Sequence, residues 1–240
     1  MNKNVKSIVI STIVALGVMG TASLVANADS TAQTLGQISF KDDNTKPYEP
    51  VDPTDPTKPV DPEDPDNPGT GNTGSLALTV APKAFNFGEQ DKYSNEHTYY
   101  AQTPENGASK QYLQVNDNRD AGTQGWTLTA KQDRNLTDDS TSKAMTGVTF
   151  YIPKGDVYNS LNDNPTEANT AAGLSASSAT VTPDNSTVVF QDNMDVTNSG
   201  KDVSTDVWNP TDVSLTIPRN TATSGNFSNH IVWTLTAAAK

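Results

Sequence analysis

The sequence lacks cysteine altogether and has only two histidines, His97 and His230, in 240 residues. Without cysteine the protein has no disulfide bond, thiol nucleophile or cysteine metal cluster, so its stability must come from an apolar interior. Neither histidine has a second histidine or a cysteine at metal-ligand spacing, and we interpret His230 as a neutral surface residue. Basic residues are also few, 16 against 28 acidic ones, and the net charge of −12 argues against nucleic acid as a partner because phosphate would be repelled.

Long apolar runs are scarce, and the clearest one, residues 8–18, lies near the N-terminus. Two lysines precede it, and an Ala-Asn-Ala tripeptide at residues 26–28 supplies the small side chains of a cleavage site. This arrangement predicts a secretory signal peptide over residues 1–28 and an extracellular mature chain that begins at Asp29. The run is shorter than the ~20 residues that a transmembrane helix needs, so we expect no transmembrane segment after cleavage.

Proline is concentrated in one stretch, where eight of the fifteen prolines recur at every third position, at 47, 50, 53, 56, 59, 62, 65 and 68. Polyproline II has three residues per turn, so the period predicts an extended rod of roughly 70 Å. We assign residues 47–74 to an acidic spacer that ends in a glycine-rich joint. A ligand for proline-recognition domains is the alternative, disfavoured by the acidic flanks. In the preceding segment, residues 29–46, Ile38 and Phe40 are compatible with one isolated short strand.

From residue 75 to residue 240, short runs alternate apolar and polar residues, and the connections between them are rich in Asn, Asp, Ser, Thr and Gly. Alternation with period two is typical of half-buried strands, and no stretch shows a helical stripe. The pattern predicts an all-β fold, a single antiparallel β-sandwich or barrel-like domain with long polar loops.

The pentapeptide Trp-Thr-Leu-Thr-Ala occurs twice in this region, beginning at Trp126 and at Trp233. Because successive side chains of a strand point to opposite faces, each Trp shares a face with the following Leu, which is Leu128 or Leu235, and the threonines occupy the other face. We interpret the two copies as strands that support the core. A further hypothesis is that they are neighbours in one sheet. Direct stacking of the indole rings on sugar is the alternative.

The sequence shows no catalytic constellation. There is no G-x-S-x-G turn, and the abundant aspartates have no spacing that singles out a pair, so we predict neither an enzyme nor a cofactor. Asp117 and Arg119 lie in an Asn-Asp-Asn-Arg-Asp loop that could be read as a calcium site, but its spacing departs from the EF-hand pattern. We favour the alternative that Asp117 and Arg119 pair at the end of a strand. Trp208 stands in a polar stretch without strand alternation and is predicted to be an exposed aromatic residue of a loop, where a lone aromatic is more often a loop anchor than a platform for a ligand.

Taken in order, these features resemble the WxL-domain cell-surface proteins of low-GC Gram-positive bacteria. The resemblance rests on the signal peptide, the proline-rich stretch, Phe87-Gly88, the run Leu113-Gln114-Val115-Asn116-Asp117-Asn118-Arg119 and the two Trp-x-Leu motifs. It implies a C-terminal domain that attaches non-covalently to the cell wall, with peptidoglycan as the ligand class. It also implies a surface partner of the membrane-anchored WxL-interacting-protein type. On the resemblance, Trp126 and Leu128 match the first motif and Trp233 and Leu235 the second.

The family commonly ends in an acidic residue, alanine and proline, whereas this chain ends in Thr-Ala-Ala-Ala-Lys. An adhesin or scaffold module that binds another protein is the alternative function, and a glycan-active enzyme is a third. The basic residues Lys131, Arg134 and Lys143 follow the first motif, and we hypothesise that they face an anionic group.

Overall fold

The computed structural model describes residues 32–41, 46–60, 64–123 and 125–238. The predicted signal peptide lies outside the described residues. The chain divides into two units, of which the first ends at Phe40. Its described residues form no strand, and Ile38 and Phe40 are 79% and 87% exposed. The predicted isolated strand is therefore wrong, because two apolar side chains without a paired neighbour bury too little surface to hold an extended segment.

The second unit, which begins at Lys41, is all-β in its described part apart from one 3₁₀ turn at Pro210–Asp212. The strands in chain order are β1 (Val51–Asp52), β2 (Asp55–Pro59), β3 (Leu76–Val80), β4 (His97–Tyr100), β5 (Gln111–Asp117), β6 (Trp126–Gln132), β7 (Leu136–Asp138), β8 (Lys143–Met145), β9 (Thr149–Ile152), β10 (Asp156–Asn159), β11 (Leu174–Ala176), β12 (Ala179–Val181), β13 (Thr187–Asp192), β14 (Asp202–Trp208), β15 (Ser214–Ile217) and β16 (Ile231–Ala237).

Three four-stranded antiparallel sheets enclose one hydrophobic core. We call them the motif sheet, in the order β11-β13-β6-β16, the tyrosine sheet, in the order β12-β9-β15-β4, and the covered sheet, in the order β10-β14-β5-β3. The predicted all-β class is confirmed. Of the two architectures considered, packed antiparallel sheets are correct, because each sheet ends in edge strands and does not close into a barrel.

The proline-rich stretch is not an extended rod. β1 and β2 form an antiparallel hairpin, and the carbonyl of Pro53 at its turn accepts a hydrogen bond of 2.6 Å from the Thr205 hydroxyl of β14. The side-chain amide of Gln114 on β5 accepts from the Val51 N–H at 2.9 Å and donates to the Glu49 carbonyl at 3.1 Å.

The outer face of the covered sheet explains why the proline-rich stretch folds onto β5 and β14 and does not extend as a rod. Gln114 and Thr205 are fully buried there, and a buried polar group is costly unless it has a hydrogen-bond partner. Proline has no N–H, so a proline-rich segment has few internal backbone bonds and its carbonyls are free to accept. The predicted spacer is therefore a covering layer of the second unit.

Asp206 on β14 lies on the core side of the covered sheet, where it is paired with Leu113 of β5 and Val157 of β10. Only 2% of the residue is exposed, and its Oδ1 atom has no hydrogen-bond partner among the described residues. Burial, with a smaller contribution from the charge of Asp156, raises the pKa of the Asp206 carboxyl well above its ordinary value.

We expect Asp206 to make stability fall as pH rises. The folded state holds the carboxyl proton more tightly than the unfolded chain, so the contribution of this group declines from the unfolded pKa of ~3.9 up to the raised folded pKa. Asp206→Asn removes this titration. Denaturant unfolding should therefore show the variant gaining stability relative to the wild type as the pH rises from about 4 toward the raised pKa of the folded state. A difference independent of pH would contradict the prediction, and the exposed Asp184→Asn is the control.

Candidate functional site

The two Trp-Thr-Leu-Thr-Ala copies form β6 and β16, which are adjacent in the motif sheet and pair along the whole pentapeptide. The pairing is centred on Leu128 opposite Leu235. Because the strands are antiparallel, Trp126 lies opposite Ala237 and Trp233 lies opposite Ala130. Each indole is thus matched with the small alanine of the other copy, at the short cross-strand distance over which side chains interact. The hypothesis that the copies are neighbours in one sheet is confirmed.

The first copy lies inside the core. Trp126 and Leu128 have no exposed surface, and the Trp126 ring meets Phe190 of β13 edge to face, with ring centroids 4.8 Å apart. In the second copy Trp233 and Leu235 are half-buried and pack against the same core. A fully buried ring cannot stack on a polymer outside the protein, so the structure assigns Trp126 to packing.

The polar side of the motif pair forms an outer face. Thr127 and Thr129 on β6 are half-buried, and Thr234 and Thr236 on β16 are exposed. The four threonines pair across the two strands, Thr127 with Thr236 and Thr129 with Thr234. The predicted division of the motif into an apolar face and a threonine face is therefore correct.

Beside the first motif, Asp117 at the end of β5 is a buried carboxylate held by two cations. The Arg119 guanidinium donates from Nε to Oδ1 at 2.9 Å and from Nη2 to Oδ2 at 2.7 Å. The Lys201 ammonium lies 3.3 Å from Oδ1, and Asp117 is 1% exposed. The hydrogen bonds to the Asp117 carboxylate raise the pKa of Arg119.

The same cluster fixes the start of the motif strand. Arg119 donates from Nη2 to the Gly125 carbonyl at 3.2 Å, and the Gly125 N–H donates to Asp192 Oδ2 at 2.8 Å. Burial raises the pKa of Asp192, although hydrogen bonds from Ser199 and Gly125 work in the opposite direction. Gly125 has a φ of +83°, and a Cβ there would lie 2.6 Å from that of Met194, so this approach to Trp126 requires glycine.

The pairing of Asp117 with Arg119 is thus confirmed, and the carboxylate needed for the calcium alternative is occupied by basic groups. Among the described residues no group of three or more His, Cys, Asp or Glu side chains could hold a metal ion. Sequence reasoning missed Lys201 and Asp192. Both lie more than 60 residues from the first motif, and an isolated sequence carries no signal of such a contact.

Trp208 is buried, which corrects the prediction of an exposed aromatic residue. It is the last residue of β14, is 4% exposed and belongs to the core. The polar neighbours that suggested a loop are themselves inside the protein, since Ser204, Thr205 and Asp206 are all buried between the core and the proline-rich layer.

The histidines and the basic segment occupy the surface. His230 is exposed, as predicted, and its ring Nδ1 lies 3.1 Å from Asp133 Oδ2. Burial alone would raise the pKa of the Asp133 carboxyl. Hydrogen bonds from the His230 backbone and ring outweigh this effect and hold that pKa below its ordinary value. Arg134 Nη1 lies 2.9 Å from Asp139 Oδ1. Part of the positive charge of the three basic residues hypothesised to face an anionic group is therefore compensated within the protein.

A family model described as "WxL domain surface cell wall-binding" matches residues 27–238 of the chain. No curated protein and no solved structure matches it. None of the described residues belongs to a helix that could span a membrane. The family match includes both copies of the repeated pentapeptide, the Asp117 cluster and the proline-rich layer.

Proposed function

The chain belongs to the WxL family of surface cell wall-binding domains, and on that premise we propose a specific role for it. It is a secreted, non-catalytic protein that attaches non-covalently to the peptidoglycan of the Gram-positive wall through its C-terminal β domain. The family match over residues 27–238 carries this proposal, because it covers nearly the whole chain and describes a domain that binds the cell wall.

The net charge of −12 indicates what kind of contact the attachment uses. Gram-positive walls contain anionic polymers, and an acidic protein is repelled by them over about the Debye length, ~8 Å at physiological salt. Attachment through short-range contacts with an uncharged part of the wall avoids this repulsion. Peptidoglycan glycan strands offer such a surface, and the proposal therefore places the ligand there.

The proposal predicts that the purified secreted protein pellets with walls from which proteins and anionic polymers have been removed. Because added salt screens repulsion, retention on walls that keep their anionic polymers should not decrease as sodium chloride is raised. Digestion of the glycan strands should release the protein. Failure to pellet with stripped walls would overturn the proposal, and an acidic protein of unrelated fold serves as the control for trapping.

A second candidate function, binding to a surface protein, is favoured by one observation. β16 stands at the edge of the motif sheet, and among the described residues no strand pairs with its outer side. Its seven residues contain neither proline nor charge, so the free N–H and C=O groups could accept an added strand from a partner. A membrane-anchored partner of the WxL-interacting type would fit this edge. Retention only on walls that still carry their proteins would favour this function over the first.

A further inference from the structure

The outer face of the tyrosine sheet carries two exposed aromatic rings in one row. Ser214 of β15 pairs on one side with Tyr100 of β4 and on the other with Tyr151 of β9. Directly paired residues of an antiparallel sheet point to the same face, so both rings stand on the same side of the sheet with the small Ser214 between them. Thr180 of β12 pairs with Tyr151 and completes the row.

The opposite face of this sheet is the core side. Phe150 and Leu215, which neighbour the row along β9 and β15, are 6% and 7% exposed and belong to the hydrophobic core. In contrast, Tyr100 and Tyr151 are 64% and 43% exposed. Neither of these two hydroxyl groups has a hydrogen-bond partner among the described residues. Single exposed apolar side chains are common on protein surfaces, whereas two exposed aromatic rings in one row form a patch. Such a patch contributes little to folding and is typical of a binding surface.

The spacing of the rings suits a chain of sugars. Adjacent strands lie about 4.8 Å apart, so two strand intervals place the Cα atoms of Tyr100 and Tyr151 roughly 10 Å apart. This separation is close to the length of two linked pyranose units in a β-linked glycan. The two rings could therefore stack on the first and the third sugar of a chain. The small Ser214 side chain between them leaves room for the second sugar.

The chemistry of the row and of its neighbour is that of an uncharged, hydroxyl-rich ligand. The next row along the same face consists of Thr98, Thr216 and Thr149, and the hydroxyl oxygens of Thr98 and Thr216 are 2.9 Å apart. Neither row contains a charged residue, although the protein as a whole carries a charge of −12. The electron-rich ring faces attract the C–H groups of a pyranose, and the threonine hydroxyl groups can donate to or accept from its hydroxyl and amide groups.

We propose that this face, Tyr100, Ser214 and Tyr151 with the threonine row beside it, is the site that holds an uncharged β-linked glycan strand of the wall. The inference rests on the proposed function and assigns it to a surface. It places the ligand on the tyrosine sheet and leaves the repeated tryptophan motif as the support of a different sheet. The neutrality of the site matches the neutrality of the glycan, which is the part of the wall that an acidic protein can approach.

The test is binding of the purified secreted protein to glycan strands freed of proteins and anionic polymers. The double variant Tyr100→Ala/Tyr151→Ala should lose affinity by about tenfold to a hundredfold, because two aromatic contacts are removed. Tyr100→Phe/Tyr151→Phe retains both rings and should bind within a few-fold of the wild type. Because all four changes are at exposed positions, the melting temperatures should stay close to that of the wild type.

The controls are matched by exposure. Tyr93→Ala and Leu161→Ala remove side chains that are 45% and 64% exposed and lie outside the two rows, and both variants should bind as the wild type does. If the wild type binds and the double alanine variant binds equally well, the inference is overturned and the proposed function stands. If the wild type itself does not bind the glycan, the proposed function fails. A soluble β-1,4-linked N-acetylglucosamine oligomer, titrated by calorimetry into the wild type and the double alanine variant, tests the ring contacts without the wall. Binding by the wild type and its loss in the variant support the inference, and equal binding by both overturns it.

Discussion

Trp126→Ala is expected to lower the free energy of unfolding by about 3–5 kcal/mol, since a fully buried indole leaves a cavity that the surrounding sheets fill only partly. For a unit of this size each kcal/mol corresponds to about 2–4 °C, so the melting temperature should fall by roughly 6–20 °C. Trp233→Ala should cost less, because Trp233 is half-buried at the edge of the motif sheet. Thermal unfolding followed by circular dichroism measures both effects.

Measuring both the stability and the wall retention of Trp126→Ala distinguishes a structural role of the motif from a binding role. If Trp126 only supports the core, wall retention of Trp126→Ala at a temperature well below its melting point should equal that of the wild type. Thr127→Ala, on the outer face of the same strand, is the control and should change stability by no more than about 0.5 kcal/mol. A variant that keeps its stability but loses retention would show that the indole contacts the ligand, which contradicts the buried position.

Asp117→Ala is expected to destabilise the protein by about 3–5 kcal/mol, because it leaves two enclosed cations without their counter-ion. The side chains of Arg119 and Lys201 are only 13% and 10% exposed, so water cannot replace the lost carboxylate efficiently. The change also releases the contacts that hold Gly125 at the start of the motif strand. Denaturant unfolding at neutral pH measures the loss.

The surface pair of Arg134 and Asp139 provides the matched control, because its side chains are 40% and 64% exposed. Asp139→Ala should cost at most about 1 kcal/mol. The cost of Asp117→Ala should also fall when Arg119 is changed to methionine at the same time, since one of the uncompensated charges is then absent. Equal costs for the buried and the surface aspartate would contradict the network. A calcium-dependent rise in melting temperature that Asp117→Ala removes would instead support the cation alternative.

Local sequence patterns were sufficient to predict the faces of a strand wherever one face is buried and the other is exposed to solvent. β6 and β16 alternate in this way, and their apolar faces, their threonine faces and the Asp117–Arg119 pair two residues apart were all predicted. β14 was missed because both of its faces are enclosed, one by the core and the other by the proline-rich layer. A strand buried on both sides loses its alternation, and here its polar residues suggested a loop.

The all-β class and the apolar side of each Trp-x-Leu motif follow from the sequence, because both depend on residues that are close together along the chain. The tertiary structure alone decided that the proline-rich stretch folds onto Gln114 and Thr205, that Lys201 completes the Asp117 cluster, and that Tyr100 and Tyr151 share one row. These contacts join residues about 50 to 150 positions apart. They depend on strand order and register, which are set by how the three sheets pack around one core.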